Sequence, residues 1–507
     1  MERIQAADAL FLDTERVASP SLIGCLIILD PATAPGSFVR HRDILQYVEE
    51  RLHLAPHLRK RLVQHPLRLD EPRLVDDANF DLEFHVRHLA LPRPRDRRQL
   101  NILASRLMSR PVDMERPLWE LYIIEGLEEI PEYPKDSFAM MMKLHHAGFD
   151  GAAAGAAIWA MMQDTADARP QPPEFPWRPE RAPGPYDWTA SSVQEALKQL
   201  MSNASALPNL SQNVVRGALA TASDPNVGRA APKTRFQQPL TSHRVFDWKV
   251  FPLSEMQALR AALGKPKMND LMLCLIAGAL HRYLGAKGEL PKDTLIAMCP
   301  INARGAGDPS EGGNKVTAMR VPLGTHIKDP MERLTFIAEA SKQGKGVAEA
   351  WGGDIMGATL AFYPYMARSA VMRGLTRLAA GADLPAFANT IVTNIPNPKG
   401  GHYFAGSKVL AYAGFGPPTD GLGIFHTVTG MDWEVSLSVT SCREIMPDIA
   451  AYIACAVESY EELRAVAGLG LSQAAEPSAV APKVRPARSA AVRAKRRTNP
   501  AAPQLDA

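Results

Sequence analysis

A proline-rich segment divides this 507-residue chain into two parts. Between positions 170 and 185, seven of sixteen residues are proline, which lacks a backbone donor and favours extended conformations. The segment therefore cannot continue a helix or a central strand, and it predicts a stiff surface connector. Since domains usually contain about 100–200 residues, we expect a domain at 1–165, a proline-rich and helical linker at 166–238, a domain at 239–468 and a disordered tail at 469–507.

Charge is distributed unevenly along the chain. The net charge is +3, yet seven basic residues and no acidic residue lie between Lys483 and Arg497, so the rest of the chain carries −4. A mildly acidic folded part, without basic residues interleaved with aromatic ones, argues against nucleic-acid binding. The basic tail has two possible roles: it holds the protein on anionic lipid, or it is a solvated tail that keeps the protein in solution.

Cysteine usage and hydropathy indicate the compartment. The five cysteines are odd in number and never form a C-x-x-C pair, which argues against a disulfide framework and a structural zinc. The N-terminus lacks the apolar core of a signal peptide. The longest strongly apolar run has about ten residues, against the roughly 20 that span a bilayer. We expect a cytoplasmic protein whose membrane contact is peripheral.

Both halves combine strand and helix patterns, so the predicted fold class is α+β. Apolar residues at 100, 103, 104, 107 and 108 have helical spacing, and Asp329-Pro330 is a typical helix start. Ser254 and Gln257 form a potential capping box before another helix. Strand-like patterns occupy 80–88, 121–125, 138–144, 243–253, 294–299, 318–323 and 435–439.

The segment MMMKLHHAGFDGAAAG at 140–155 carries the strongest chemical signal. An apolar run typical of a buried strand ends at His145 and His146, and Asp150 and Gly151 precede a helix of small residues. An H-H-x-x-x-D-G string arises by chance in roughly one such chain per thousand. A neutral imidazole at a strand end is a suitable general base near pH 7. The alternative is that both histidines are core residues and Asp150 is only a helix cap.

Several further blocks accompany this string and resemble the bacterial wax ester synthase/diacylglycerol acyltransferase family. That family belongs to the wider superfamily of coenzyme A-dependent acyltransferases and peptide-synthetase condensation domains that share H-H-x-x-x-D-G. The likeness covers about 10–460 except the linker, and is weaker at VDMERPLW and in the C-terminal pattern. Its blocks are DALFLDTERVASPSLIGCLIILDP, FDLEFHVRHLALP, ERPLWELYIIEGL with Pro117-Leu118-Trp119, KMNDLMLCLIAGALHRYL with Asn269-Asp270, PINAR at 300–304, the Asn314 region and NTIVTNIPNP at 389–398.

The resemblance implies two chloramphenicol-acetyltransferase-like domains with a tunnel between them and the histidines at its middle. It also implies transfer of a long-chain acyl group from acyl-coenzyme A, a cosubstrate and not a bound cofactor, to diacylglycerol or a fatty alcohol. His146 would be the general base, without a covalent acyl-enzyme, which agrees with the absence of a G-x-S-x-G elbow. The implied catalytic residues are His146, His145 and Asp150, and the implied substrate-binding residues are Gly151, Pro117, Leu118, Trp119, Asn269 and Asp270; no metal is implied.

Several of these roles have alternatives. Trp119 lines an acyl channel or is a core aromatic, and Asn269 is an oxyanion donor or a helix cap. Asp270 is more typical of a structural partner than of an acid, and Arg304 is a possible partner of Asp150. The methionines at 140–142 line an acyl pocket or simply pack. For the whole protein, the alternatives are an acyltransferase with another alcohol or an amine as acceptor, and a non-catalytic lipid-surface protein of the same fold.

Overall fold

The computed structural model describes most of the chain from residue 2 to residue 470. The described residues are 2–470 except 66, 67, 69, 150, 182–183, 185–187, 189–193, 195–197, 199–210, 213, 223–228, 303–315, 352–359, 361–362, 364, 380–385 and 396–399. The predicted tail beyond residue 470 therefore lies outside them. Across the described ranges, no helix combines the length and the apolar composition that crossing a bilayer requires.

The described strands form two six-stranded sheets and one three-stranded sheet. The first large sheet has the order β12-β13-β2-β7-β6-β5, the second β10-β9-β11-β14-β15-β8, and the small one β1-β4-β3. The strands are β1 (Glu2–Arg3), β2 (Leu22–Asp30), β3 (Lys60–Val63), β4 (Arg73–Asp76), β5 (Val86–Ala90), β6 (Trp119–Glu125), β7 (Phe138–His145), β8 (Arg244–Pro252), β9 (Ile296–Asn302), β10 (Val316–Pro322), β11 (Thr390–Ile395), β12 (Tyr403–Phe404), β13 (Ser407–Phe415), β14 (Ile424–Gly430) and β15 (Glu434–Cys442).

Helices accompany these sheets, and a separate apolar core lies with each large sheet. The helix Met268–Ala286 is the most apolar of the long ones, and 13 of its 19 residues are buried, so it forms the centre of the second core. The α-helices span Ala6–Thr14, His41–Glu49, Leu82–His85, Arg97–Met108, Gly151–Ala160, Leu253–Ala262, Met268–Ala286, Pro330–Ala350, Tyr365–Ala379 and Ile449–Val466, with a further helical stretch at 214–222.

The two large sheets contain the same four-strand unit. In the first sheet, β2, β5, β6 and β7 lie in the spatial order β2-β7-β6-β5; in the second, β8, β11, β14 and β15 lie in the order β8-β15-β14-β11. In both units the first two pairings are antiparallel and the last is parallel. The fold is therefore α+β with two sheet-rich domains of one topology, which confirms the predicted fold class.

The sheets are not assembled strictly in chain order. The strand β13 comes from the range predicted as the second domain, yet it pairs antiparallel with β2 and extends the first sheet. Its other end lies against the second sheet, where Gly414 N donates to Ser438 Oγ at 3.1 Å. The predicted domain limits follow the order of the chain, whereas the first sheet also contains a strand from the range predicted as the second domain.

Two local predictions are wrong. Residues 80–88 do not form one strand, because Asp81 accepts a hydrogen bond from Glu83 N and caps the short helix Leu82–His85, so that β5 begins only at Val86. The expected capping box at Ser254 is absent because that helix begins two residues earlier than predicted, at Leu253 after Pro252. By contrast, the Asp329 side chain accepts a hydrogen bond from Glu332 N and caps the helix Pro330–Ala350 as predicted.

Candidate active site

The paired histidines lie where β7 ends. All eight residues of β7 are buried, because β2 and β6 flank the strand and its apolar residues are covered on both faces. His145 is the last residue of the strand, and its N–H donates to Leu118 O at 2.9 Å. The next N–H, that of His146, donates to Ser21 O at 2.9 Å. The backbone of the pair is therefore held from both sides of the strand.

His145 is fixed inside the protein. Its side chain is fully buried, and its Nδ1 accepts a hydrogen bond from Ala147 N at 3.1 Å. The ring proton must then be on Nε2, which lies 3.2 Å from Glu15 Oε2 and donates to it. Because both ring nitrogens are already engaged, His145 is suited to shape the turn and not to exchange protons with a substrate.

His146 is more open than its neighbour. It is half-buried, and its ring stacks on Phe11 with a centroid distance of 3.8 Å and an interplanar angle of 15°. Phe11 belongs to the helix Ala6–Thr14, and Glu15 follows directly after this helix. This short helix and the residue that follows it therefore contact both histidines.

The rest of the motif forms a tight turn into a helix. Gly151 begins the helix Gly151–Ala160. A Cβ at Gly148 would come within 3.0 Å of Leu118 Cδ1, so the turn packs closely on that side chain. Asp150 and its predicted partner Arg304 lie outside the described residues, as does Asn314.

The predicted Pro117-Leu118-Trp119 block is beside this turn. Leu118 contacts it through its side chain and through the bond from His145 N. Trp119 is 1% exposed, and its Nε1 donates to Leu58 O at 2.7 Å while its ring stacks on His85. Pro117 forms an isolated bridge with Arg61. Leu118 is thus at the histidines, and Trp119 packs into the core beneath them.

Asn269 and Asp270 lie in the first turn of the helix Met268–Ala286; Asn269 is half-buried and Asp270 is buried. Asp270 is 4% exposed, and this burial raises the pKa of its carboxyl although Ser341 and Lys267 partly offset the effect. Its surroundings are those of a structural residue. The methionines at 140–142 are also at most 1% exposed, which places them in the core of the first sheet.

A buried ion pair lies on the same side of β7 as His145. Lys143, two residues earlier, is fully buried, and its Nζ lies 2.7 Å from Glu120 Oε2. Tyr122 also donates to this carboxylate, at 2.6 Å. Burial favours the neutral acid, but the Lys143 ammonium outweighs it and holds the pKa of Glu120 below its ordinary value.

The second four-strand unit has no histidine pair at the equivalent place. In the first unit, His145 pairs with Leu22, the first residue of β2. In the second unit, Cys442 takes the place of His145, because it pairs with Arg244, the first residue of β8. Arg443 takes the position that matches His146. The chemistry of the motif therefore belongs to the first unit. Among the side chains that the structure describes, no three His, Cys, Asp or Glu residues come together as a metal site.

Sequence reasoning missed the three residues that hold the histidines: Phe11, Glu15 and Ser21. Phe11 and Glu15 are four residues apart at the end of one helix, and this spacing was available in the sequence. Their partners lie about 130 residues later, and no local pattern connects the two segments.

Comparison with known proteins identifies the family of both halves of the chain. Residues 4–272 match the model of the wax ester synthase/diacylglycerol acyltransferase catalytic domain, and residues 312–464 match the C-terminal domain of the same family. A candidate diacylglycerol O-acyltransferase of Mycobacterium tuberculosis H37Rv is 30% identical over 454 residues, 89% of this chain and 87% of that protein. A similarly named protein of Mycobacterium bovis is 28% identical and covers 92% of this chain and 100% of its own.

Solved structures share the fold. The wax ester synthase/diacylglycerol acyltransferase from Marinobacter aquaeolei VT8 superimposes with a TM-score of 0.63 at 24% identity, covering 92% of this chain and 100% of its own. The trichothecene 15-O-acetyltransferase from Fusarium sporotrichioides gives a TM-score of 0.55 at 10% identity, with 91% and 94% covered. The matches of both halves to the two domain models, together with the 30% identical relative, show that this chain belongs to the wax ester synthase/diacylglycerol acyltransferase family.

Proposed function

We propose that this protein is an O-acyltransferase that moves a long-chain acyl group from acyl-coenzyme A to diacylglycerol or a fatty alcohol. The products are triacylglycerol or wax ester. Membership of the family supports the reaction. The observation that carries the assignment of roles is the division between the two histidines: both ring nitrogens of His145 are engaged inside the protein, whereas His146 is only half-buried.

In the proposed reaction, His146 is the general base. Its imidazole accepts the proton of the acceptor hydroxyl while the oxygen forms a bond to the thioester carbonyl carbon. The carbon–sulfur bond then breaks, and the imidazolium returns the proton to the departing thiolate. A thioester is already activated, so positioning and general base help are the main requirements, and the latter typically contributes about 10²–10⁴-fold.

Neighbouring residues support this role indirectly. Glu15 fixes the tautomer of His145 by accepting from its Nε2–H, and Phe11 restrains the His146 ring. Acyl-coenzyme A and the acceptor would reach the pair through a tunnel between the two domains, with Asp150 fixing the histidine turn. Leu118 is the predicted lining residue that contacts this turn directly.

The proposed substrates also imply contact with lipid. Diacylglycerol and fatty alcohols are insoluble in water, so we expect peripheral association with a membrane or a lipid inclusion. On the helix Tyr365–Ala379, the large apolar side chains of Met366 and Val371 are 53% and 58% exposed, so apolar groups are available for such contact. The basic tail predicted at 469–507 would add attraction to anionic lipid.

The test is thiol release from palmitoyl-coenzyme A, with hexadecanol or dioleoylglycerol as acceptor. The wild type should release thiol only with an acceptor, and His146→Ala should reduce this release by about 10²-fold or more. His88→Ala is the matched control, because His88 is exposed on β5 of the same sheet.

Two outcomes would contradict the proposal. Equal thiol release by His146→Ala and the wild type would refute the role of His146 as general base. No thiol release from the wild type with either alcohol would refute the assignment of these two acceptors. Amine acceptors or a non-catalytic lipid-surface role would then have to be tested.

A further inference from the structure

The helix Ala6–Thr14 has two faces with different partners. Phe11 stacks on His146, and Glu15, just after the helix, accepts from His145 Nε2. Ala9 and Asp13 are four residues apart and therefore share a face, which lies roughly opposite to Phe11 at 100° per residue. Whatever holds this second face also sets the position of the first.

A helix from the second half of the chain covers that second face. Tyr365, at the start of the helix Tyr365–Ala379, is 3% exposed and packs with Ala9, Ile4 and Leu74 in a small separate apolar core. The next turn continues the contact. Ser369 is fully buried, and its hydroxyl donates a hydrogen bond to Asp13 Oδ1.

Asp13 is enclosed by this contact. Its side chain is fully buried, and Arg68 lies 3.6 Å from its Oδ1 while donating to Ser369 Oγ at 2.9 Å. Burial raises the pKa of Asp13, although Ser369 and the arginines around it lower it. The side chain therefore depends on its few polar partners.

A buried ion pair fixes the covering helix itself. Arg368 and Glu71 have side chains that are 2% and 4% exposed, and one guanidinium nitrogen lies 2.8 and 2.7 Å from the two carboxylate oxygens. Glu71 lies two residues before β4 of the small sheet, whose strand β1 leads into the helix Ala6–Thr14. The pair therefore ties the covering helix to the platform from which the histidine-contacting helix starts.

We propose that Asp13, Glu71, Arg368 and Ser369 are positioning residues for the paired histidines, although none of them contacts the histidines. Through them, the helix Tyr365–Ala379 of the second half presses the helix Ala6–Thr14 against His145 and His146. The consequence for the reaction rests on the proposed function, since a displaced imidazole is no longer aligned with the acceptor hydroxyl. The structural consequence, a looser His146 ring, does not depend on it.

The first experiment compares two buried arginines. Arg368→Met leaves Glu71 without its partner, and it should lower kcat about 10- to 100-fold while the KM for acyl-coenzyme A changes by less than about threefold, because a displacement near 1 Å at a reacting group can cost 10²-fold. Arg464→Met is the matched control: Arg464 is also a buried arginine paired with a glutamate, Glu255 at 3.2 Å, but its helix packs on the second sheet. This control should melt at a lower temperature and keep kcat within about threefold.

A second variant distinguishes the loss of positioning from the cost of burying an unpaired charge. Glu71→Met/Arg368→Met removes both charges and restores an apolar contact of similar volume, which often holds two elements as well as the ion pair does. It should recover most of the lost kcat. If Arg368→Met keeps kcat in the range of Arg464→Met, or if the double variant is as slow as the single one, the positioning role is refuted.

The readout that needs no turnover is modification of His146 by diethyl pyrocarbonate, followed by peptide mass spectrometry. In Arg368→Met the rate at His146 should rise several-fold, whereas the rate at the exposed His88 should stay the same. Absence of acyl transfer by the wild type would contradict the proposed function alone. An unchanged His146 rate in a folded Arg368→Met protein would contradict the positioning role alone.

Discussion

Glu434 gives the stability of this protein a pH dependence that can be calculated from its surroundings. The residue begins β15, is 3% exposed, and accepts a hydrogen bond from Tyr412 N of β13 at 3.0 Å. Burial raises the pKa of its carboxyl from 4.5 to about 7, even though hydrogen bonds from Tyr412 and Trp433 lower it. The folded protein thus keeps a proton that the unfolded chain has already released above pH 4.5.

The direction of the pH effect on stability follows from this raised pKa. Because the folded-state pKa is the higher one, this contribution to stability is fully present below pH 4.5 and is lost as the pH rises through about 7. A pKa raised from 4.5 to about 7 corresponds to about 3 kcal/mol in the free energy of unfolding, at 1.36 kcal/mol per pKa unit. Glu434→Gln is neutral at every pH and keeps a carbonyl that can accept from Tyr412 N.

Urea denaturation of the wild type and Glu434→Gln at pH 5, 7 and 8.5 measures this effect. The two proteins should be similarly stable at pH 5, and the variant should be more stable by up to about 3 kcal/mol at pH 8.5. Glu115→Gln, at an exposed position, is the control and should follow the wild type throughout. A difference between wild type and Glu434→Gln that does not grow with pH would refute the reasoning.

Two further substitutions test the packing around the histidine strand. Gly24→Ala would place a Cβ 2.0 Å from Met142 O, so β2 must move away from β7. We expect a loss of about 1–3 kcal/mol in the free energy of unfolding. Gly430→Ala is the control: its Cβ meets open space and should change the free energy of unfolding by less than about 0.5 kcal/mol. Lys143→Met removes the buried ammonium from Glu120 and leaves its carboxylate with the partly exposed Arg87 guanidinium at 3.3 Å and the Tyr122 hydroxyl. It should cost up to about 3–5 kcal/mol, of which adding Glu120→Gln should restore a large part. Urea denaturation measures both, and equal effects of the two glycine variants, or a Lys143→Met protein as stable as the wild type, would contradict these expectations.

Local features of the site could be predicted from the sequence because they arise from neighbouring residues. The apolar run before His145 predicts a buried strand, and the glycine and alanines after the histidines predict a turn and a helix, all of which the structure has. The contacts of Phe11 and Glu15 could not be predicted, since they join segments about 130 residues apart. The pairing of β13 with β2 spans an even longer separation. The prediction of one strand at 80–88 was wrong for a local reason, because a helix cap outweighed the strand-like pattern.

The pairing of β13 with β2 has a consequence for the order of events during synthesis. Eight of the nine residues LIGCLIILD of β2 are apolar or glycine, and until β13 arrives this strand is an open edge able to recruit another chain. About 270 residues separate the end of β7 from the end of β13, so at roughly 5–20 residues per second the ribosome leaves that edge uncovered for tens of seconds. A nascent chain of this protein thus has a long interval in which its first half is translated but incomplete, and this is the interval in which a chaperone would protect it most.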